Sequence, residues 1–109
     1  MPPKRDLLPG TLEMLILKTL SAQTMHGYGI AHHIQRLSAD VLTVEEGSLY
    51  PALQRMRQRG WIKAEWRQSP NNQRARYYTI TPQGRKHLGQ EESGFAELVA
   101  AIARIMKPA

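Results

Sequence analysis

Glu46-Gly47-Ser48-Leu49-Tyr50-Pro51-Ala52-Leu53-Gln54-Arg55-Met56 carries the pattern from which the rest of the chain is read. Gly47 and Ser48 supply a turn and an N-cap hydroxyl, and Pro51 suits a first helical turn, where a missing N–H costs little. Leu49, Leu53 and Met56 fall on one face at helical spacing. Ser48, Tyr50, Gln54, Arg55 and Arg57 are left pointing outward. A helix that offers hydroxyls, an aromatic ring, Gln and Arg near its N-terminus can enter a major groove and read base edges.

The flanking segments set this helix in a larger pattern. Thr11 can cap a helix running to about Ala22, with Leu12, Leu15, Ile16 and Leu20 on one face. Met14 and Leu17 make that helix apolar on a second side, which predicts burial twice over. Gln23-Thr24-Met25-His26-Gly27 reads as a turn. A second helix is expected over about Tyr28 to Ser38, with Ile30, Ile34 and Leu37 inward. Val41, Leu42 and Val44 read as extended. After the third helix, Gly60 is placed as a C′ glycine behind Arg57 and Arg59. Trp61 to Arg67 then alternates, with Ile62, Ala64 and Trp66 on one face, and Gln68 to Arg74 is a polar tip. Ala75 to Ile80 is the returning strand, with Tyr78 and Ile80 on one face and Tyr77 and Thr79 on the other. Helix, helix, helix, hairpin is the order of a winged helix-turn-helix.

Thr81-Pro82 marks a last helix, cap followed by N1 proline. Leu88, Phe95 and Ile102 recur at a heptad interval, Leu98 and Ile105 fill the alternate positions, and Glu91 interrupts the seam. The expected fold is mostly α with a small β-hairpin. A winged helix-turn-helix domain over residues 1–81 precedes a C-terminal dimerisation helix over 82–109.

Composition narrows the function. At 109 residues the chain is one domain with an appended helix, and a hydrophobic fraction of 41% leaves little room for a deep enzyme cleft. There is no cysteine, which excludes disulfides, thiolate zinc sites and thiol chemistry. No apolar run approaches the roughly 20 residues needed to span a bilayer. Met1-Pro2-Pro3-Lys4-Arg5-Asp6 lacks the apolar core of a signal peptide, so a cytoplasmic protein is expected. Net charge is +6, and residues 45–86 alone carry +6, against +1 before them and −1 after. A polyanion is the economical partner for that patch, although a basic face kept for solubility weighs about equally on charge alone.

Leu12-Glu13-Met14-Leu15-Ile16-Leu17-Lys18-Thr19-Leu20, His26-Gly27-Tyr28-Gly29-Ile30, the segment 46–53, Gly60-Trp61-Ile62, and Arg76-Tyr77-Tyr78-Thr79-Ile80-Thr81 ahead of Gly84 together resemble the PadR family of bacterial transcriptional regulators. The resemblance spans about residues 7–88. The ending Ala100-Ala101-Ile102-Ala103-Arg104-Ile105 resembles a subgroup with a single short C-terminal helix. What the resemblance implies is a homodimeric winged-helix repressor, often with a ligand cavity near the dimer centre.

Each signal has a structural reading beside the functional one. His26-Gly27-Tyr28 is read as a turn with Tyr28 packed at the helix start rather than as a ligand or catalytic site. His32 and His33 adjoin, but helix neighbours point about 100° apart and do not share a metal easily, so neither metal nor cofactor is expected. Tyr50 and Pro51 could be a helix-start device, yet Leu49 and Leu53 already claim the inward face. Trp61, Trp66 and Tyr78 are read as core and hairpin packing rather than a base-stacking platform. The expected double-stranded DNA contacts are Ser48, Tyr50, Pro51, Gln54 and Arg55 on the helix, with Lys63, Arg67, Arg74 and Arg76 on the wing. Met14, Leu17, Phe95, Leu98, Val99, Ile102, Ile105 and Met106 are the expected homodimer contacts. Met14, Leu17, Phe95 and Val99 could also wall a shallow space for a small aromatic or amphipathic effector, although plain dimer packing accounts for the same faces. A winged helix can instead serve as a protein-interaction module, for which this face is unusually basic. No Ser/His/Asp set, carboxylate pair, phosphate-cradling glycine loop or metal motif speaks for an enzyme.

Overall fold

The computed structural model describes residues 10–108; the Met1 to Asp6 segment and the start of the 1–81 unit lie outside the described residues. The order is α1 (Thr11–Ala22), β1 (Met25–His26), α2 (Gly27–Leu37), α3 (Glu46–Gln58), β2 (Ile62–Gln68), β3 (Arg74–Ile80) and α4 (Pro82–Met106). The chain is mostly helical with a small antiparallel sheet, ordered β1-β3-β2.

Burial explains why these segments fold as they do. Ile16 and Leu17 of α1, Ile30 of α2, and Leu49, Leu53 and Met56 of α3 are almost wholly sealed from solvent. Ile62, Tyr78, Ile80 and Leu88 close the same core from the sheet and from the start of α4. Removing one such side chain, Leu53 for instance, is expected to cost about 2–5 kcal/mol. Helix α3 ends as expected. Gly60 adopts φ 78°, its N–H donates to the Arg57 carbonyl at 3.0 Å, and the Trp61 N–H donates to the Met56 carbonyl at 3.0 Å. That pair of bonds is a Schellman motif, which needs a residue tolerant of positive φ. Thr81 caps α4 by accepting from the Gly84 N–H at 3.0 Å, and Pro82 takes the first helical position.

Several local readings need correction. Thr11 is the first helical residue of α1, not its cap; Gly10 holds that position and makes no side-chain cap bond. Helix α3 begins at Glu46 with Glu45 as N-cap, so Ser48 lies inside the helix and Pro51 falls beyond the first turn. Pro51 therefore leaves the Gly47 carbonyl without its i+4 donor, on a face open to solvent where water can serve it. Met25 and His26, read as part of a turn, instead pair with Tyr78 and Tyr77 as a third strand. His26 then caps α2, its Nδ1 accepting from the Gly29 N–H at 3.0 Å. Leu37 and Tyr28, read as packed, are 68% and 72% exposed. Tyr28 is held by its neighbours' rings instead, stacked on His26 and on His32.

The first turns of α4 belong to the winged-helix body. Gly84 and Leu88 are buried there, and the His87 ring stacks on Trp61 at 3.7 Å. Lys18 and Glu92 add an exposed ion pair between α1 and α4. The remainder of the 25-residue helix, about 37 Å long in all, carries Phe95, Leu98, Val99, Ile102, Ile105 and Met106 into solvent.

A Cβ on Gly84 would lie 2.1 Å from the Trp61 carbonyl oxygen and 2.9 Å from Ile80 Cγ1, whereas one on Gly89 would meet nothing within 4 Å. Gly84→Ala should therefore destabilise by about 3 kcal/mol, the upper end for overpacking. Gly89→Ala should be neutral or stabilising by up to about 1 kcal/mol. Thermal melts followed by circular dichroism check both, and equal melting temperatures for the two variants would contradict this packing.

Candidate nucleic-acid interface

Because Leu49, Ala52, Leu53 and Met56 are turned into the core, the rotation of α3 is fixed and its outer face follows. Ser48, Tyr50, Pro51 and Gln54 are all exposed on it. Gln54 Oε1 accepts from Arg57 Nη1 at 2.8 Å, which orients the amide and leaves its NH₂ free to donate. Arg55 departs from the expected arrangement. Its Nε lies 3.2 Å from Glu13 Oε1, and Arg59 Nη1 lies 3.4 Å from the other oxygen of the same carboxylate. Arg55 therefore faces α1 rather than the outer face with Gln54. Such a partly exposed pair is worth only about 0–1 kcal/mol, so a stronger anion could displace Glu13.

The hairpin sorts its cations onto two faces. Trp66 stands opposite Arg76 and Gln68 opposite Arg74, on the face that continues Ile62, Ala64, Tyr78 and Ile80. Trp66 is 56% exposed, not core, and it supports both guanidiniums, Arg74 at 5.3 Å and Arg76 at 5.8 Å from its ring. Lys63 and Arg67 belong to the other face. Arg67 is paired with Glu65 and lies over Tyr77 at 5.5 Å. Lys63 borders a shallow crevice with Gln54 and Gln58 at the far end of the helix. The four wing cations thus do not form one patch. The tip is shaped by its own bonds, with Asn72 at φ 66° and its side chain accepting from Gln68 Nε2 at 2.6 Å.

Between α3 and the wing lies an open groove of about 620 Å³, lined by His26, Gly27, Tyr28, Tyr50, Trp66, Ser69, Asn71, Gln73, Arg74, Ala75, Arg76 and Tyr78. Gly27 lets the reading helix come this close, since a Cβ there would lie 2.9 Å from the Tyr50 ring. Nothing in the sequence pattern announces the groove, because its walls come from three separate segments. Two residues of β1 are too few to show alternation, and Glu13 gives no sign of its distant arginine partners.

A family model described as the transcriptional regulator PadR-like family matches residues 16–90. The chain belongs to the PadR-like family of transcriptional regulators. A transcriptional regulator from Clostridium thermocellum is similar in structure at a TM-score of 0.83, with 28% identity over 90% of this chain and 95% of that one. A PadR family transcription regulator from Clostridium difficile gives a TM-score of 0.78 at 26% identity, covering 90% of this chain and 100% of the other. An uncharacterized protein of Lysinibacillus sphaericus is 25% identical over 104 residues, 95% of each chain. The winged-helix fold is thereby shown, and with it the broad role of the family, DNA-binding regulation of transcription.

This PadR-like chain also corrects one expected contact. Leu17 is fully buried in its own core, so it can neither meet a partner subunit nor wall an effector space. Met14 and Phe95 do border a crevice of about 290 Å³ between α1 and α4, together with Gly94 and Leu98. Val99 lies outside that crevice, on the exposed stripe. Among the described residues no three His, Asp or Glu side chains converge as metal ligands, and no helix is long and apolar enough to cross a membrane.

Burial raises the Tyr78 phenol above its ordinary 10.0; the Arg76 guanidinium opposes this, Tyr50 adds to it and Arg57 opposes it. The folded state therefore holds this proton more tightly than the unfolded chain. Its contribution is intact below pH 10 and is lost as pH rises through the folded value. Between about pH 9 and about pH 11, urea melts should show wild type losing more stability than Tyr78→Phe. An equal loss in both would remove Tyr78 as the cause.

Proposed function

We propose that this protein is a sequence-specific double-stranded DNA-binding repressor that acts as a homodimer. The observation that carries this reading is the outer face of α3, where Ser48, Tyr50, Pro51 and Gln54 are exposed beside a groove that holds Arg74 and Arg76. An α-helix of about 10–12 Å diameter fits a major groove about 12 Å wide. In that position the free NH₂ of Gln54 can donate to acceptors on a base edge, and Tyr50 and Ser48 reach phosphates or bases. Arg55 joins them only by leaving Glu13. Arg74 and Arg76 contribute contacts that carry no sequence information, as phosphate neutralisation does.

The homodimer reading rests on α4. Phe95, Leu98, Val99 and Ile102 are about half exposed and Ile105 and Met106 three-quarters or more, and the winged-helix body covers the stripe only in part, at the crevice that Phe95 and Leu98 border. Soluble monomers rarely leave so continuous an apolar stripe open. Pairing two such helices about a two-fold axis buries it and sets two reading helices at a fixed separation, which matches half-sites about one helical turn apart. The crevice of Met14 and Phe95 is where an aromatic or amphipathic effector would act, by favouring one spacing of the reading helices over another.

Gln54→Ala should cost about 1–3 kcal/mol of operator affinity and relax the preference at one base position. Footprinting on the protein's own promoter would supply the operator, and unchanged affinity and specificity would remove Gln54 from the reading face. Leu98→Glu combined with Ile102→Glu should give a folded monomer with little operator affinity. Sedimentation of wild type as a monomer at micromolar concentration would overturn the dimer and the half-site geometry with it.

A further inference from the structure

Charge pairing distinguishes the surfaces around α3. On the α1 side, Arg55 and Arg59 share the single carboxylate of Glu13, which offsets one of their two charges. On the outer face of the wing, Arg67 is satisfied by Glu65. The groove between α3 and the wing differs, because no carboxylate stands among its lining residues. Glu45 and Glu46, exposed at the start of α3, do not line it. Arg74 and Arg76 form no ion pair among the described residues and are supported only by the Trp66 ring. Arg76 Nε is moreover shielded from solvent with no hydrogen-bond partner, an arrangement that costs free energy unless an acceptor arrives.

Neutral donors complete the lining. Because His26 Nδ1 accepts from the Gly29 N–H, the neutral ring carries its proton on Nε2, which is left to donate. Tyr28 makes no side-chain hydrogen bond among those formed by the described residues, yet its ring is fixed between His26, at 6.3 Å, and His32, at 6.0 Å. A highly exposed tyrosine held in this way gives up little side-chain freedom on meeting a ligand. Beyond the two residues that β1 covers, β3 is paired on one side only, so backbone groups at Arg74 to Arg76 border the same space.

We propose that this groove seats the sugar-phosphate backbone of one DNA strand, with Arg74 and Arg76 neutralising phosphates and the Tyr28 hydroxyl donating to a phosphate oxygen at the α2 side. Tyr28 thereby becomes a DNA contact outside both the reading helix and the wing. The inference rests on the DNA-binding reading above and specifies the path of the strand. The two kinds of contact differ in their response to salt. A cation that neutralises a phosphate releases counterions and contributes to the salt slope, whereas a neutral hydroxyl contributes affinity alone.

The full chain would be titrated with a fluorescent random-sequence duplex at several salt concentrations, with melting temperatures of all variants compared. Arg74→Gln and Arg76→Gln should each flatten the slope by about one, and Arg76→Lys should restore it. Tyr28→Phe keeps the ring stack and should lose about five- to tenfold in affinity at an unchanged slope. Arg67→Gln, on the opposite face, should change neither. An Arg67→Gln effect equal to that of Arg76→Gln, or full affinity in Tyr28→Phe, would overturn this path while leaving DNA binding itself in place. Wild type that binds no duplex at any salt concentration would overturn the DNA-binding reading and the path together.

Discussion

Leu49, Ala52, Leu53 and Met56 bury one side of α3 so fully that the helix has a single rotation about its own axis. Everything the protein can present to a partner follows from that rotation. Turning the helix by one residue would move about 100° of surface, expose Leu53 and bury Gln54 without a partner, at a cost of several kcal/mol. The Schellman bonds at Gly60 then fix where the helix stops. Because β2 begins two residues later, the wing is delivered to the same side of the molecule as the start of the helix.

Pairing of charges matters more here than their number. The net charge of +6 lies within residues 45–86, which locates the basic patch but not its direction. Glu13 gathers two arginines onto α1, and Glu65 takes a third on the outer face of the wing. Arg74 and Arg76, which no carboxylate offsets, face the groove that Gly27 keeps narrow by admitting the Tyr50 ring. Exposed ion pairs of this kind add little to stability. Their consequence is to decide which cations meet an incoming anion unencumbered.

Helix α4 joins two surfaces of different character. Its first turns are locked to the body by the Thr81 cap, by Leu88 and by the stack of His87 on Trp61, over whose ring Arg59 also lies at 5.1 Å. Its later turns leave the body and carry an apolar stripe. Arg59 also shares Glu13 with Arg55, so the end of the reading helix, the start of α1 and the root of α4 are in mutual contact. A shift of α4 against α1 has a short physical route to the reading helix.

The sequence by itself determined the order of the four helices and the hairpin, the hairpin faces, the Gly60 and Thr81 boundaries and the outward set of Ser48, Tyr50 and Gln54, because each follows from local periodicity or from one residue's backbone chemistry. It placed the start of α3 three residues late, since Gly47, Ser48 and Pro51 are local signals and the packing of Leu49 and Ala52 outweighs them. Only the tertiary structure decided matters that depend on distant segments meeting. Leu17 proved to be core rather than interface because α1 is enclosed by α2, α3 and the sheet. Trp66 proved to be an exposed ring held by arginines of the returning strand, 8 and 10 positions away. Arg55 was drawn to Glu13 across 42 positions of chain. Periodicity tells which face of an element is apolar, but it carries no information about which charge or ring another element will bring to it.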